Sequence, residues 1–167
     1  MLIERHFAAP TMVAACIALA GVTPHAAWAA STTTTFNVTA TVVATCTVSA
    51  TNVAFGNYGS TQLDSTGAVS IACTNLAPYT IELDAGAGSG ATVAARKMTG
   101  PSSQTLGYSL YQDASRTLLW GTTAGSNSVA GTGNGATQSL TVYGRVPATQ
   151  YPTAGSYTDT VTVTVTY

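Results

Sequence analysis

Few side chains in this chain of 167 residues have the types and spacing that catalysis requires. Its two histidines, His6 and His25, both lie near the N-terminus, so the rest of the sequence offers neither a Ser-His-Asp nor a Cys-His arrangement. Lys97 is the single lysine, and a Ser-Lys dyad would need it to be buried, which the neighbouring Arg96 does not suggest. We therefore predict that the protein is not an enzyme.

One pair of carboxylates has a spacing that could serve acid–base chemistry. Glu82 and Asp84 lie two residues apart on a predicted strand, so their side chains point to the same face. Paired carboxylates are the catalytic groups of most glycosidases. A solvated face is the favoured interpretation, because the other face of this strand is apolar, with Tyr79, Ile81 and Leu83.

The other acidic residues do not form a recognisable metal site. Asp64, Asp113 and Asp159 lie near predicted turns, where aspartate supports local backbone hydrogen bonds. Calcium needs more clustered oxygen ligands than these, and zinc would need a CxxC pair or histidines. We expect no cofactor and no metal.

Trp120 and Arg145 are the two side chains that could line a sugar-binding surface, because aromatic faces suit such contacts. The alternative, which we favour, is that Trp120 packs in the core and Arg145 is a surface or edge charge. A secreted carbohydrate-binding module is therefore the second class of function to test.

Charge and hydropathy exclude further classes. Only 7% of the residues are charged, with 5 basic and 6 acidic side chains, against about 25% in average globular proteins. A nucleic-acid binder needs a clustered positive face, and a polybasic membrane-surface protein needs the same. The mean hydropathy of +0.25 is too high for a disordered chain.

Residues 1–29 are typical of an export signal. Arg5 precedes an apolar run over residues 8–22, and Ala27-Trp28-Ala29 fits the A-x-A cleavage rule. The run is too short for a transmembrane helix. A lipidation box ending at Cys16 is the alternative, although little of the apolar run precedes that cysteine.

Cleavage after residue 29 would leave Cys46 and Cys73 as the only cysteines. In an exported chain such a pair is most simply a disulfide. Closing this loop would stabilise the fold by about 3–4 kcal/mol. A reactive or metal-binding thiol pair is the alternative.

The rest of the chain has the alternating pattern of β-strands. Short strands separated by turns favour an antiparallel sandwich over a parallel α/β sheet. The Gly-, Ser- and Thr-rich stretch 121–136 is predicted to be an exposed loop. The predicted strands are 36–42, 69–73, 79–83, 106–111, 117–120, 139–146 and 157–167, with 106–111 and 117–120 forming a hairpin.

The first and last predicted strands suggest that the sandwich is not self-contained. Residues 30–44 precede the first mature cysteine and contain alternating apolar side chains, while the sequence ends on its clearest strand with no segment left to pair with it. Residues 36–42 either fold back to complete their own sheet or add a strand to another copy. Head-to-tail strand addition does not close, so it builds a filament.

Seven stretches of the sequence resemble the spore coat protein U domain, which is the fold of Csu-type (archaic) chaperone–usher pilus subunits. Each stretch is weak alone, but their order and the terminal block are specific. They are 36–42, Val53-Ala54-Phe55-Gly56-Asn57-Tyr58, 69–74, Leu106-Gly107-Tyr108-Ser109-Leu110-Tyr111, Leu119-Trp120-Gly121, 142–148 and 154–163.

The resemblance implies an incomplete immunoglobulin-like antiparallel β-sandwich over residues 45–167 that is completed by a donor strand from another molecule. In this family a periplasmic chaperone lends a strand, and an outer-membrane usher drives its replacement by the next subunit's N-terminal segment. It also implies a disulfide between Cys46 and Cys73. The implied donor side chains are Phe36, Val38, Ala40 and Val42, and the implied edge of the acceptor groove is Val161, Val163, Val165 and Tyr167.

The implied function is that of a rod or connecting subunit of an extracellular pilus that supports surface attachment and biofilm formation. The expected partners are copies of this chain or related pilins, the chaperone and the usher. No nucleic acid and no small-molecule substrate is expected. A passive spore or cell coat protein is a further alternative.

Overall fold

A computed structural model describes residues 28–167 of the chain. All but the last two residues of the predicted export signal therefore lie outside the described residues, and so does Cys16. Within the described residues, no helix is long and apolar enough to cross a membrane.

The described residues form eight β-strands and one short 3₁₀ turn, Pro101–Ser103. All paired strands are antiparallel, which confirms the predicted all-β sandwich class. The strands are β1 (Cys46–Thr51), β2 (Leu63–Cys73), β3 (Pro78–Leu83), β4 (Arg96–Thr99), β5 (Thr105–Tyr111), β6 (Val129–Thr132), β7 (Thr137–Val146) and β8 (Val163–Thr166). One sheet has the order β1-β2-β7-β5-β4 and the other has the order β6-β3-β8.

The core lies between the two sheets and follows the two-residue period of the strands. Val69, Ile71 and Cys73 of β2 are buried, as are alternate residues of β3, β5 and β7. Trp120 is also buried, and its indole N–H donates to the carbonyl of Ile81 (3.1 Å). The interpretation of Trp120 as a core residue is therefore confirmed.

The predicted disulfide is present and joins the first two strands. Cys46 and Cys73 are bonded and are also register partners in the β1–β2 ladder. The cross-link therefore fixes the start of β1 to the end of β2. The end of the sandwich that contains this bond is called the cystine pole below.

The last predicted strand is shorter than expected, because its chain changes sheets. Thr158 forms a bridge with Thr99 of β4, in the five-stranded sheet, whereas β8 pairs with β3 in the other sheet. Between these points, Thr162 donates its backbone N–H to the Asp84 carboxylate (2.9 Å) rather than to a neighbouring strand. The prediction of one strand over 157–167 is therefore wrong before residue 163.

Two other segments differ from their predictions. The stretch 121–136 is not wholly a loop, since it contains β6, which pairs with β3. Residues 117–120 form no strand, but Leu119 bridges Tyr111 and so closes the expected hairpin. The Asp113 carboxylate accepts the backbone N–H groups of Thr117 and Leu118 and fixes this turn.

Arg96 contradicts the expectation that this part of the chain is exposed, because it is fully buried. Its guanidinium group donates to four backbone carbonyls at 2.7–3.1 Å, those of Leu83, Asp84, Val93 and Trp120. Burial lowers the pKa of Arg96, and nearby Tyr108, Asp84 and Asp159 partly offset this shift. The buried charge is tolerated because each of the three guanidinium nitrogen atoms donates to at least one carbonyl oxygen.

Residues 28–39 and residues 40–167 are two separate units. Residues 28–39 contain no helix and no strand, and their described side chains are exposed; Phe36 and Val38 are each 85% exposed. Residues 40–45 of the second unit also lack secondary structure. The strand predicted over 36–42 is therefore not formed in the isolated chain, since a strand requires a ladder partner.

Candidate functional site: an apolar cleft between two strand edges

The described residues enclose an open cleft of about 420 Å³ between the two sheets. One wall is the end of β1 with the segment that follows it, residues 50–55. The opposite wall is the chain that enters β8, residues 157–161, together with Val163. The floor consists of buried core side chains, namely Val69, Leu83, Tyr108, Leu110 and Val142.

Each wall of the cleft has a strand with one unpaired edge. Among the described residues, β1 pairs only with β2 and β8 pairs only with β3, so both strands lie at sheet edges. An unpaired edge presents free backbone N–H and C=O groups, which serve as a template for another strand.

The side chains near these edges show that the interior is uncovered here. Val48 is the register partner of Ile71, so both side chains lie on the inner face of the sheet. Ile71 is fully buried, whereas Val48 is 44% exposed. On the opposite wall, Val163 pairs with buried Leu83 and is itself only partly buried. Among residues 28–167, no element fully covers these apolar side chains near the two strand edges.

Residues 53–55 partly cover the floor at one end of the cleft. Val53 and Phe55 can approach the β2–β7 ladder because Gly67 and Gly144 lie beneath them. A Cβ atom at Gly67 would lie 2.8 Å from the Val53 side chain, and one at Gly144 would lie 2.7 Å from the Phe55 ring. The Phe55 ring also packs edge-on against Tyr108, with 6.2 Å between centroids.

One end of the cleft is polar. The Tyr108 hydroxyl donates to Asp159 Oδ2 (2.6 Å), and Asp159 Oδ1 accepts the backbone N–H of Ala87 (2.7 Å). Burial and the hydrogen bond to Asp159 raise the pKa of Tyr108 well above its usual value, so this hydroxyl stays a neutral donor. These bonds fix the chain that forms the second wall.

Asp84 fixes the same wall from the three-stranded sheet. Its Oδ1 atom accepts the backbone N–H groups of Thr162 and Gly86, each at 2.9 Å. Partial burial raises the pKa of Asp84, but the hydrogen bonds from Thr162 and Gly86 lower it more, and the net pKa is below 3.8. This carboxylate therefore accepts hydrogen bonds from the backbone and stays ionised.

The residues implied as the groove edge do not all lie at the cleft. Val161 and Val163 line it. Val165 lies on β8 opposite Ile81 and packs against the core, and Tyr167 follows β8 and is exposed. Of the implied donor residues, Ala40 and Val42 belong to the second unit and are exposed.

Sequence reasoning missed the first wall of the cleft. The family pattern includes residues 53–55 but not 50–52, and the alternation of Val53 and Phe55 with a small residue between them is the one signal for an inward-facing segment.

The residues considered for sugar binding do not form a common surface. Trp120 is buried, and Arg145 forms a bidentate ion pair with Asp64 (2.7 and 2.9 Å). The hydrogen bond from Arg145 holds the pKa of Asp64 below its usual value. Asp64 lies at the start of β2, and its carboxylate binds Arg145 instead of local backbone N–H groups, so its predicted turn role is wrong.

Comparisons with known proteins agree with this architecture. Residues 32–164 match the Spore Coat Protein U domain family. The chain is 35% identical over 175 residues to Protein U of Myxococcus xanthus, which covers 94% of this chain and 97% of that protein.

Among solved structures, the chain resembles one from the CsuC–CsuE chaperone–tip adhesion subunit pre-assembly complex of the archaic chaperone–usher Csu pili of Acinetobacter baumannii. The TM-score is 0.57 at 23% identity over 76% of this chain, so the likeness concerns the fold. This chain spans only 41% of that solved chain. With its family match over most of its length, the chain belongs to the Spore Coat Protein U domain family.

Proposed function

We propose that this chain is a structural, non-catalytic subunit of an extracellular chaperone–usher filament. Each copy would receive a donor strand from the next copy, and the filament would support surface attachment and biofilm formation. The observation that carries the proposal is the open apolar cleft bounded by the unpaired edges of β1 and β8.

Residues 36–42 have the pattern that such a cleft requires. Phe36, Val38, Ala40 and Val42 lie on one face of a strand and alternate with Asn37, Thr39 and Thr41 on the other. As a strand these residues span about 20 Å, which is longer than the four-residue strand β8, so the new ladder would also extend along the segment that enters β8. The apolar face can therefore fill the cleft while the ladder bonds form along the edge.

The energetics favour a long-lived junction. Full burial of a Val or Phe side chain contributes about 1.5–3 kcal/mol. Three such side chains and Ala40 would contribute about 5–9 kcal/mol before the cost of ordering the leader is deducted. New ladder hydrogen bonds add to this free energy.

The same open cleft explains why the subunit would need a chaperone before assembly. A secreted subunit with unpaired strand edges beside an open apolar cleft is prone to aggregation until a strand is supplied. The structural neighbour comes from a complex between a chaperone and a tip adhesion subunit. We infer that residues 1–29 direct export and that a periplasmic chaperone covers the cleft. An outer-membrane usher would then replace the chaperone with the donor strand of the next subunit.

Matched substitutions on the two faces of residues 36–42 test the proposal. Val38→Asp places a carboxylate in the cleft, whereas Thr39→Asp places it on the opposite face of the same strand. Secreted material should give a gel ladder that collapses to one band only on boiling in strong denaturant for the parent chain and Thr39→Asp. Val38→Asp should give the monomer only, captured by the chaperone. Ladders of equal length from both variants would contradict the donor assignment.

A coat component is the second candidate, and the name of the family favours it. Strand exchange could also link subunits in a coat. Deletion of the chaperone and usher distinguishes the two, because a pilus subunit would then not reach the cell surface. A coat protein that assembles without them would still be found there.

A further inference from the structure

The turn between β2 and β3 contains an apolar residue in an unfavourable conformation. Ala77 donates its backbone N–H to the carbonyl of Thr74 (3.0 Å), which closes a four-residue turn. Leu76, the third residue of this turn, has a φ of 63° and is 77% exposed. Turns with a positive φ at this position favour Gly or Asn, because a Cβ atom is crowded in the left-handed region. Leu76 is therefore strained, and its side chain gains little burial in the isolated chain.

The same turn anchors the chain where the proposed donor segment ends. The backbone N–H of Thr45 donates to Thr74 Oγ1 (3.0 Å), and that of Thr74 donates to the carbonyl of Thr45 (2.9 Å). Thr74 Oγ1 also lies 3.4 Å from the carbonyl of Val43. The disulfide between Cys46 and Cys73 fixes the adjoining residues. The backbone is therefore held to the cystine pole from Val43 onward.

This anchor leaves almost no linker between neighbouring copies. Val42 is the last apolar residue of the donor segment and is followed directly by Val43, with about 3.8 Å between their Cα atoms. If Val42 lies in the cleft of another copy, Val43 lies at the mouth of that cleft. Leu76 is two residues from Thr74, which places it within about 7 Å of the anchor.

We propose that Leu76 and Val43 form the contact by which the cystine pole of one copy packs against the rim of the cleft that receives its donor segment. The inference rests on the proposed strand exchange, and the occupant of this surface is a second copy of the same chain. Val43 is exposed in the isolated chain as well. A strained residue is retained where the surrounding structure uses it, and burial on assembly gives the Leu76 side chain such a use.

A photo-cross-linking experiment on the full chain locates this contact. Leu76 is replaced by p-benzoylphenylalanine, and filaments are grown from a mixture of ¹⁵N-labelled and unlabelled subunits. After irradiation, mass spectrometry should find labelled-to-unlabelled cross-links from position 76 to residues 50–55 or 157–163. The same photoreactive residue at Leu118, which is 60% exposed on the hairpin, should not give these cross-links.

Substitutions measure the contribution of the contact. Leu76→Asn relieves the turn and removes the apolar side chain, so the monomer should unfold at an equal or higher temperature. Its filament ladder should nevertheless collapse several degrees below that of the parent. Leu76→Met, which keeps an apolar side chain, should behave like the parent filament, and so should Leu118→Asn.

The outcomes separate this inference from the proposed function. A normal parent ladder with no intersubunit cross-link from position 76, or with an unchanged collapse temperature for Leu76→Asn, would overturn the Leu76 contact and leave strand exchange intact. A parent chain that forms no ladder at all would overturn both.

Discussion

Two parts of the same core differ in how completely they are covered. Around Ile71 and Ile81 both sheets are present and the side chains are fully buried. At the end of β1 and around Val163 the same two sheets diverge into a cleft, and Val48, two residues before Ala50 on the same inner face of β1, is still 44% exposed. The difference shows that the alternation of apolar residues continues beyond the region that this chain covers by itself. Intramolecular packing stabilises the first part, and we propose that a second molecule completes the other.

The largest effect is expected from the covered part, at Arg96. Arg96→Met would leave four backbone carbonyl groups, two of them in fully buried hydrogen bonds, without their donor, and we expect a loss of about 3–5 kcal/mol in the free energy of unfolding. Lys97→Met, which changes a half-buried neighbour, should change it by less than about 1 kcal/mol. Urea denaturation of the two variants measures this. Equal stabilities would show that the Arg96 network does not support the fold.

The register pair Ile71 and Val48 makes the comparison directly. Ile71→Ala removes a fully buried side chain and should cost about 2–5 kcal/mol in the isolated chain. Val48→Ala removes a side chain that is still partly in water, so its cost should be below about 1 kcal/mol. In the assembled filament Val48 should become buried. Val48→Ala should then destabilise the filament, so that its gel ladder collapses under milder denaturation than that of the parent. A Val48→Ala chain as unstable as Ile71→Ala before assembly would mean that the cleft is already covered.

The smallest effect concerns the wall of the cleft at low pH. The folded pKa of Asp84 lies below 3.8, so its ionised form stabilises the fold above that pH, and this contribution is lost as the pH falls towards the folded pKa. The unfolding temperature of the parent should thus fall more steeply between pH 4 and pH 2 than that of Asp84→Asn. Parallel curves would show that Asp84 does not hold Thr162 and Gly86 in solution.

Much of the fold could be predicted because it depends on local periodicity. Val69, Ile71 and Cys73 alternate with small polar residues, so the sequence indicates both the strand and its buried face. The disulfide followed from the count of cysteines in an exported chain. These features need no knowledge of distant residues.

The remaining features depend on partners that are distant in sequence. Arg96 is buried because carbonyl groups from β3 and from the segment after the hairpin converge on it, and its neighbours in sequence do not signal this. β6 lies in a Gly-rich stretch whose strand conformation is imposed by pairing with β3. The chain before β8 changes sheets because Asp84 and Tyr108 bind it on opposite sides.

The cleft itself could be predicted only in part. The C-terminal valines indicated one wall, but Val165 lies beyond the cleft, where it pairs with buried Ile81 and packs against the core. The other wall depends on Gly67 and Gly144, which admit Val53 and Phe55 only once β2 and β7 have paired.

The central claim is that one strand from another molecule completes this core at both open edges. The most direct test is amide hydrogen exchange on the full-length Val38→Asp chain, with and without a synthetic peptide of residues 31–44. The parent peptide should slow exchange in both β1 and β8, while the peptide with Asp at position 38 should not. Unchanged exchange in both strands at saturating concentrations of the parent peptide would contradict the claim.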